Sequence, residues 1–290
     1  MPADFDFEAT VRSHGWCRLA PFGWRPQAAR LEYRFRLPGG GAATVAMGQP
    51  GGRGSGVELE VVGGTGRRTG LERGDRAAIE EGLRRALRLD ESIAPFHELC
   101  REAGPPFDRA PQIGFGRLLR APTAFEDLAK VLATTNTRWS GTEAMVAKLV
   151  ELSGGEGTFP TAEEVVGLGP EALRKARWGY RAEYLVELAS RVASGEIEPE
   201  RWDAWPGTTA ELEERIRELP GFGPYASAQV LGLMGRYDRI GVDSVFRAFV
   251  RDRHFPDRGD DPPTEARMRA VYRSWGGWRA LAYWFEVWEA

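Results

Sequence analysis

Lysine is almost missing from this chain. Lys130, Lys148 and Lys175 are the whole complement, and the rest of the 39 basic residues are arginine, so few side-chain amines are available for covalent chemistry. Cysteine is nearly as scarce. Cys17 and Cys100 lie far apart, form no metal-ligand spacing and give no disulfide framework. Excess charge is missing too: the net charge is −3, which argues against broad, sequence-independent electrostatic binding of nucleic acid as the main source of affinity. No stretch approaches the ~18 consecutive apolar residues of a membrane span. The opening Met1-Pro-Ala-Asp-Phe-Asp-Phe-Glu8 is acidic and carries no secretory apolar core. A soluble cytoplasmic protein with no membrane partner is expected.

What is present suffices for a large core. The chain has 290 residues, 42% of them apolar and 28% charged, a balance that excludes disordered, collagen-like and coiled-coil classes. At roughly 150 residues per domain the length suggests two domains. Leu31-Glu-Tyr-Arg-Phe-Arg-Leu37 alternates apolar and polar residues as a half-buried strand does. Pro38-Gly-Gly-Gly41 turns the chain, 42–47 returns it, and Val57–Val62 alternates again before Gly63-Gly64. From Asp75 the period becomes helical, with Ile79, Leu83, Ala86 and Leu87 on one face. Further helices are expected near 92–103, 123–135, 141–153, 170–177, 180–194, 209–218, 224–235, 244–253, 264–274 and 277–288, with breaks at Gly154-Gly155 and Pro220-Gly221. The expected fold class is α+β: a small antiparallel β-rich domain over 1–90, then a large all-helical domain over 91–290.

The segment richest in chemistry is Glu218-Leu-Pro-Gly-Phe-Gly-Pro-Tyr-Ala-Ser-Ala-Gln-Val230. Pro220 and Gly221 end one helix, and Gly223-Pro224 starts the next with proline in its first turn. The glycines between them permit positive φ and close backbone approach. The amides of Gly221, Gly223 and Tyr225 then sit at a helix N-terminus, which favours an anion such as phosphate. An ordinary helix–turn–helix corner accounts for this string equally well. Asp243 follows twenty residues past Gly223, flanked by Val242, Val245 and Phe246. Taken alone, an aspartate before a helix is also a natural N-cap.

The hairpin followed by Val242-Asp243 resembles the helix-hairpin-helix DNA glycosylases. Gly116-Arg-Leu-Leu-Arg120, Leu132-Ala-Thr-Thr-Asn136, Trp178-Gly-Tyr-Arg-Ala-Glu-Tyr184 and Trp275-Gly-Gly-Trp-Arg-Ala-Leu-Ala-Tyr-Trp-Phe285 resemble segments of the 3-methyladenine and 8-oxoguanine branches. The β-rich start is similar to the extra sheet those branches carry, so the resemblance spans nearly the whole chain. It implies a base-excision-repair enzyme that flips a damaged purine out of double-stranded DNA and hydrolyses its N-glycosidic bond. Asp243 would be catalytic. The base pocket would draw on Tyr225, Gln229, Trp139, Trp178 and Tyr283, with Trp284 alongside. DNA would be held by Leu219, Gly221 and Gly223 of the hairpin and by Asn136, Thr137, Tyr180 and Arg181, with Asn136 and Thr137 entering the vacated stack. The resemblance further implies a monomer held at the nucleoid through DNA.

Departures from the family refine this expectation. No cysteine follows Cys100, so the branch with an iron–sulfur cluster after the catalytic Asp is excluded. No cofactor is expected beyond a cation bridging hairpin carbonyls to a phosphate. Bifunctional members carry a Schiff-base lysine where this chain has Tyr225, which implies a monofunctional enzyme. The 8-oxoguanine branch reads its base with a glutamine where this chain has Tyr283, so alkylated purines become the expected substrate. The competing expectations are an 8-oxoguanine or hypoxanthine glycosylase, with or without lyase activity, and a non-enzymatic hairpin module that only binds DNA.

Overall fold

The computed structural model describes residues 2–65, 70–153, 156–256 and 262–289; the expected break at Gly154-Gly155 lies outside them. From the N-terminus run α1 (Phe7–Val11), β1 (Phe22–Arg25), β2 (Arg30–Arg36), β3 (Ala42–Gly48), β4 (Glu58–Thr65) and α2 (Arg73–Ala86). Next come α3 (Ala94–Ala103), α4 (Ala110–Ile113), α5 (Ala124–Thr134), α6 (Trp139–Leu152), α7 (Ala162–Lys175) and α8 (Arg181–Ala193). The chain closes with α9 (Thr209–Arg217), α10 (Pro224–Leu233), α11 (Ser244–His254), α12 (Glu265–Ala270) and α13 (Arg279–Glu289). The fold class is α+β, a small N-terminal sheet followed by helices. None of these helices is long and apolar enough to cross a membrane. Two compact units result, each built from two stretches: Met1–Ser92 with Arg117–Arg201, and Ile93–Gly116 with Trp202–Ala290.

In the first unit the strands form an antiparallel meander in the order β1-β2-β3-β4. Its register pairs Phe22 with Tyr33, Tyr33 with Val45 and Val45 with Val61. Leu31, Tyr33, Phe35, Val45 and Met47 are buried on one face, as the period of two requires. Gly82 lets α2 approach this face, since a Cβ there would lie 3.0 Å from the Phe35 ring. Helix α5 is buried nearly all round and carries ionic residues inward. Glu126 pairs with Lys130 at 2.6 Å and accepts from the Tyr33 hydroxyl. Asp127 pairs with Arg85 and accepts from the Trp16 indole. These partners satisfy charges that would otherwise be costly to bury. Helix α7 begins at Ala162, earlier than the expected 170, and is interrupted at Gly169, whose φ is +66°. Strand β1 and helix α1 are elements the sequence pattern did not announce.

Half-buried His14 yields a prediction for the first unit. Its Nε2 lies 2.6 Å from the Leu119 carbonyl, and desolvation pushes its pKa from 6.5 down to about 4. The folded state therefore holds the neutral ring, while the unfolded chain takes up a proton below pH 6.5. The stabilisation is complete above that pH and is lost as pH falls towards 4. The urea midpoint of the wild type is expected to drop across this window, and His14→Gln should flatten the drop. An equal drop in both proteins would refute the assignment.

The second unit has an aromatic core. Phe107 packs on Trp275 at 4.5 Å, Phe115 on Phe285 at 5.1 Å, and Tyr237 stacks on Trp278 at 5.5 Å. This core ties α13 to the 93–116 segment. It also fixes the frame in which α9, α10 and α11 present the candidate site.

Candidate active site

The hairpin forms as its glycines require. Helix α9 opens with a reciprocal capping box between Thr208 and Glu211 and ends at Glu218. The Leu219 amide then donates to Ile216 O, and the Phe222 amide donates to Leu219 O at 3.1 Å. Gly221 takes φ +87°, a conformation that a residue with a Cβ adopts at a cost. Gly223 is extended and caps α10, with Pro224 at its first position. A Cβ on Gly223 would meet nothing within 4 Å, so that glycine is not demanded by the protein's own packing. Among the described residues, the amides of Gly221 and Gly223 donate to no backbone carbonyl. Leu219 and Phe222 are buried. The Leu219 side chain anchors the turn from inside.

Asp243 caps α11. Its Oδ1 accepts from the Phe246 amide at 2.7 Å, and among the described residues no partner engages Oδ2. One carboxylate oxygen therefore holds the helix start, which is the cap role the sequence also offered for this aspartate. Of the apolar residues flanking Asp243, Phe246 is buried whereas Val245 is 53% exposed, so the apolar wall lies on the Phe246 side. The wall's other member is Tyr283 on α13. Its ring packs edge-on against Phe246 at 5.0 Å and lies 6.1 Å from Phe249. Burial, the Asp243 carboxylate and Tyr225 together push the Tyr283 hydroxyl well above the usual phenol range. Asp243, Tyr225 and Tyr283 therefore share one electrostatic neighbourhood.

Gly241 closes the arrangement, and sequence reasoning did not single it out. A Cβ there would lie 3.1 Å from Gln229 Nε2 and 3.3 Å from Tyr225 Cδ2. The segment leading to Asp243 runs close along α10 at Gly241, where a side chain would press on Gln229 and Tyr225. Gln229 itself is exposed, one turn beyond half-buried Tyr225. The second unit thus brings together the hairpin, Tyr225, Gln229, Asp243 and Tyr283.

The remaining candidates belong to the first unit. Asn136 and Thr137 are exposed. Asn136 adopts φ +46° and donates to the Tyr180 hydroxyl at 3.1 Å. Tyr180 is 51% exposed, whereas Arg181 is only 6% exposed. The Arg181 guanidinium lies 4.6 Å from the Tyr180 ring centroid and donates to Thr135 Oγ1 and to the Thr135 carbonyl. Arg181 thus braces the Asn136 turn and the Tyr180 ring from beneath. Trp178 is fully buried and donates to Met145 O, so its expected place in a base pocket is corrected to core. Trp139 is half-buried at the start of α6 and rests on Gly15 and Trp16.

No family model and no curated protein matches the chain. Solved structures do. A 3-methyladenine DNA glycosylase from Archaeoglobus fulgidus superposes with a TM-score of 0.74 at 19% identity, covering 98% of this chain and 95% of that one. A Clostridium acetobutylicum 8-oxoguanine glycosylase/lyase, in complex with double-stranded DNA containing cytosine opposite 8-oxoguanine, superposes at 0.67 with 15% identity, covering 99% and 93%. The chain therefore has the fold of the helix-hairpin-helix DNA glycosylases. Coverage near the full length of both chains extends that statement to the N-terminal sheet as well as the helices.

Proposed function

We propose that this protein is a monofunctional DNA glycosylase of base-excision repair, acting on alkylated purines in duplex DNA. The observation that carries the reading is Asp243, which lies beyond a glycine hairpin and shares its surroundings with Tyr225 and Tyr283 on a glycosylase fold. The hairpin would hold a phosphate through backbone amides, and Asn136 and Thr137 would fill the space left by the extruded nucleotide. Extrusion costs a few kcal/mol, least for a damaged or mispaired base.

As the C1′–N bond breaks, its electron pair leaves with the base and positive charge develops on the sugar. The unengaged Oδ2 of Asp243 would stabilise that charge and orient the water that adds to C1′. The faces of Tyr225 and Tyr283 suit a purine made cationic by N-alkylation. The reaction so written uses water and no cofactor.

The lysines support a single activity. Lys130 is buried in its pair with Glu126, and Lys148 pairs with Glu151 on the surface of α6. Neither these nor Lys175 lies on α10 or beside Asp243 in sequence, and position 225 is tyrosine. A second substrate reading rests on Gln229. Its exposed amide can both donate to and accept from a base edge, which suits 8-oxoguanine or hypoxanthine.

A panel of duplexes carrying 7-methylguanine, 1,N6-ethenoadenine, hypoxanthine or 8-oxoguanine, scored for abasic sites, tests the reading. Excision of the alkylated purines without borohydride-trapped protein–DNA adducts is expected. Trapped adducts would overturn monofunctionality, and an untouched panel with intact binding would leave a binding module.

A further inference from the structure

The proposed chemistry leaves one buried ionisable cluster of the second unit unused. Tyr272 is 1% exposed, and its hydroxyl donates to Glu286 Oε2 at 2.6 Å. His254 Nε2 lies 3.1 Å from the same oxygen and 3.5 Å from the Tyr272 hydroxyl. The Glu286 side chain is itself buried. A buried carboxylate persists only where donors replace its lost water, and here two converge on one oxygen.

The cluster joins two helices at informative places. His254 is the last residue of α11, whose cap is Asp243. Glu286 stands three residues after Tyr283 on α13, so the two share a face of that helix. The Tyr272 ring lies 5.7 Å from the Tyr283 ring and edge-on to it, and 5.9 Å from the His254 ring. The face of α13 that carries Tyr283 onto Phe246 is thus pinned, one turn on, to the far end of the helix that Asp243 begins.

We propose that Tyr272, Glu286 and His254 are a positioning lock that holds Tyr283 against the Asp243 end of α11, setting the wall of the base pocket. The lock acts through Tyr283 and touches no substrate. Only its effect on excision rests on the glycosylase reading. Removing the Tyr272 hydroxyl leaves its ring packing in place but takes one of two donors from a buried carboxylate. Glu286 can then reorient, and with it the turn of α13 that bears Tyr283.

The test uses the full chain labelled with 3-fluorotyrosine, with Tyr283 assigned through Tyr283→Phe. In Tyr272→Phe and in Glu286→Gln the Tyr283 fluorine resonance is expected to shift or broaden while the melting transition stays cooperative. Single-turnover excision from a 7-methylguanine duplex should fall about tenfold, as misplaced groups do. Affinity for a duplex carrying a tetrahydrofuran abasic analogue should stay within about twofold, separating the chemical step from binding. An unmoved Tyr283 resonance in both variants overturns the lock, as does a resonance change that only tracks global unfolding. Should the wild type excise nothing from that duplex, the activity reading fails and the fluorine spectra decide the lock alone.

Discussion

Asp243→Asn is expected to lower excision by about three orders of magnitude while leaving the fold and DNA affinity intact, the loss typical of removing a group aimed at developing charge. The substitution is clean because of where Asp243 sits. Its Oδ1 accepts from the Phe246 amide, and asparagine caps helices about as well as aspartate. The amide oxygen can keep the cap, so α11 and the packing of Phe246 on Tyr283 survive. What disappears is the negative charge that the proposed reaction sets against the sugar. Asp243→Ala would instead lose the cap as well, at about 1 kcal/mol, and would mix a structural defect with a chemical one. Single-turnover kinetics on the duplex that the wild type cleaves, with melting curves and abasic-analogue affinity alongside, check the prediction. Wild-type excision by Asp243→Asn would remove Asp243 from the chemistry and leave it a helix cap only.

The parts of the site legible in the sequence were those with local signatures. Pro220, Gly221, Gly223 and Pro224 specify a turn whatever surrounds them, and the turn forms with φ +87° at Gly221. The strand of 31–37 was legible because alternation is a local pattern, and that of 42–47 because the Pro38–Gly41 turn sends the chain back beside it. Strand β1 was not, since Phe22-Gly-Trp-Arg25 is too short to alternate convincingly. The start of α7 was hidden by Gly169-Pro170, which reads as a break and is accommodated as an interruption.

Side-chain direction was the larger gap. A guanidinium at 181 and an indole at 178 look alike as candidates for contact. Only the fold shows that one lies beneath Tyr180 and the other in the core. The Tyr272–Glu286–His254 cluster was illegible for a related reason: its members are 14 to 32 residues apart, and each alone reads as an unremarkable helical residue. The near absence of lysine was legible, but not that the one amine on α5 is committed to Glu126.

The two hairpin glycines should fail in opposite ways when replaced by alanine, and the contrast isolates binding from folding. Gly221 has positive φ, so Gly221→Ala strains the turn and should cost about 1 kcal/mol of stability, the usual penalty for a left-handed alanine. Gly223 has φ −71° and open space where a Cβ would stand. Gly223→Ala should therefore fold normally, or with a slight gain from a less flexible unfolded chain. Its cost should fall on DNA. A methyl group at that cap would keep a phosphate from reaching the hairpin amides, and a charge-assisted hydrogen bond is worth about 1.5–3 kcal/mol. Affinity for an abasic-analogue duplex should then fall by about tenfold to a hundredfold. Because backbone amides carry no net charge, this loss should persist at high salt, whereas any arginine–phosphate contribution fades. If Gly223→Ala binds the duplex as the wild type does at both low and high salt, the hairpin is a structural corner and the DNA is held elsewhere.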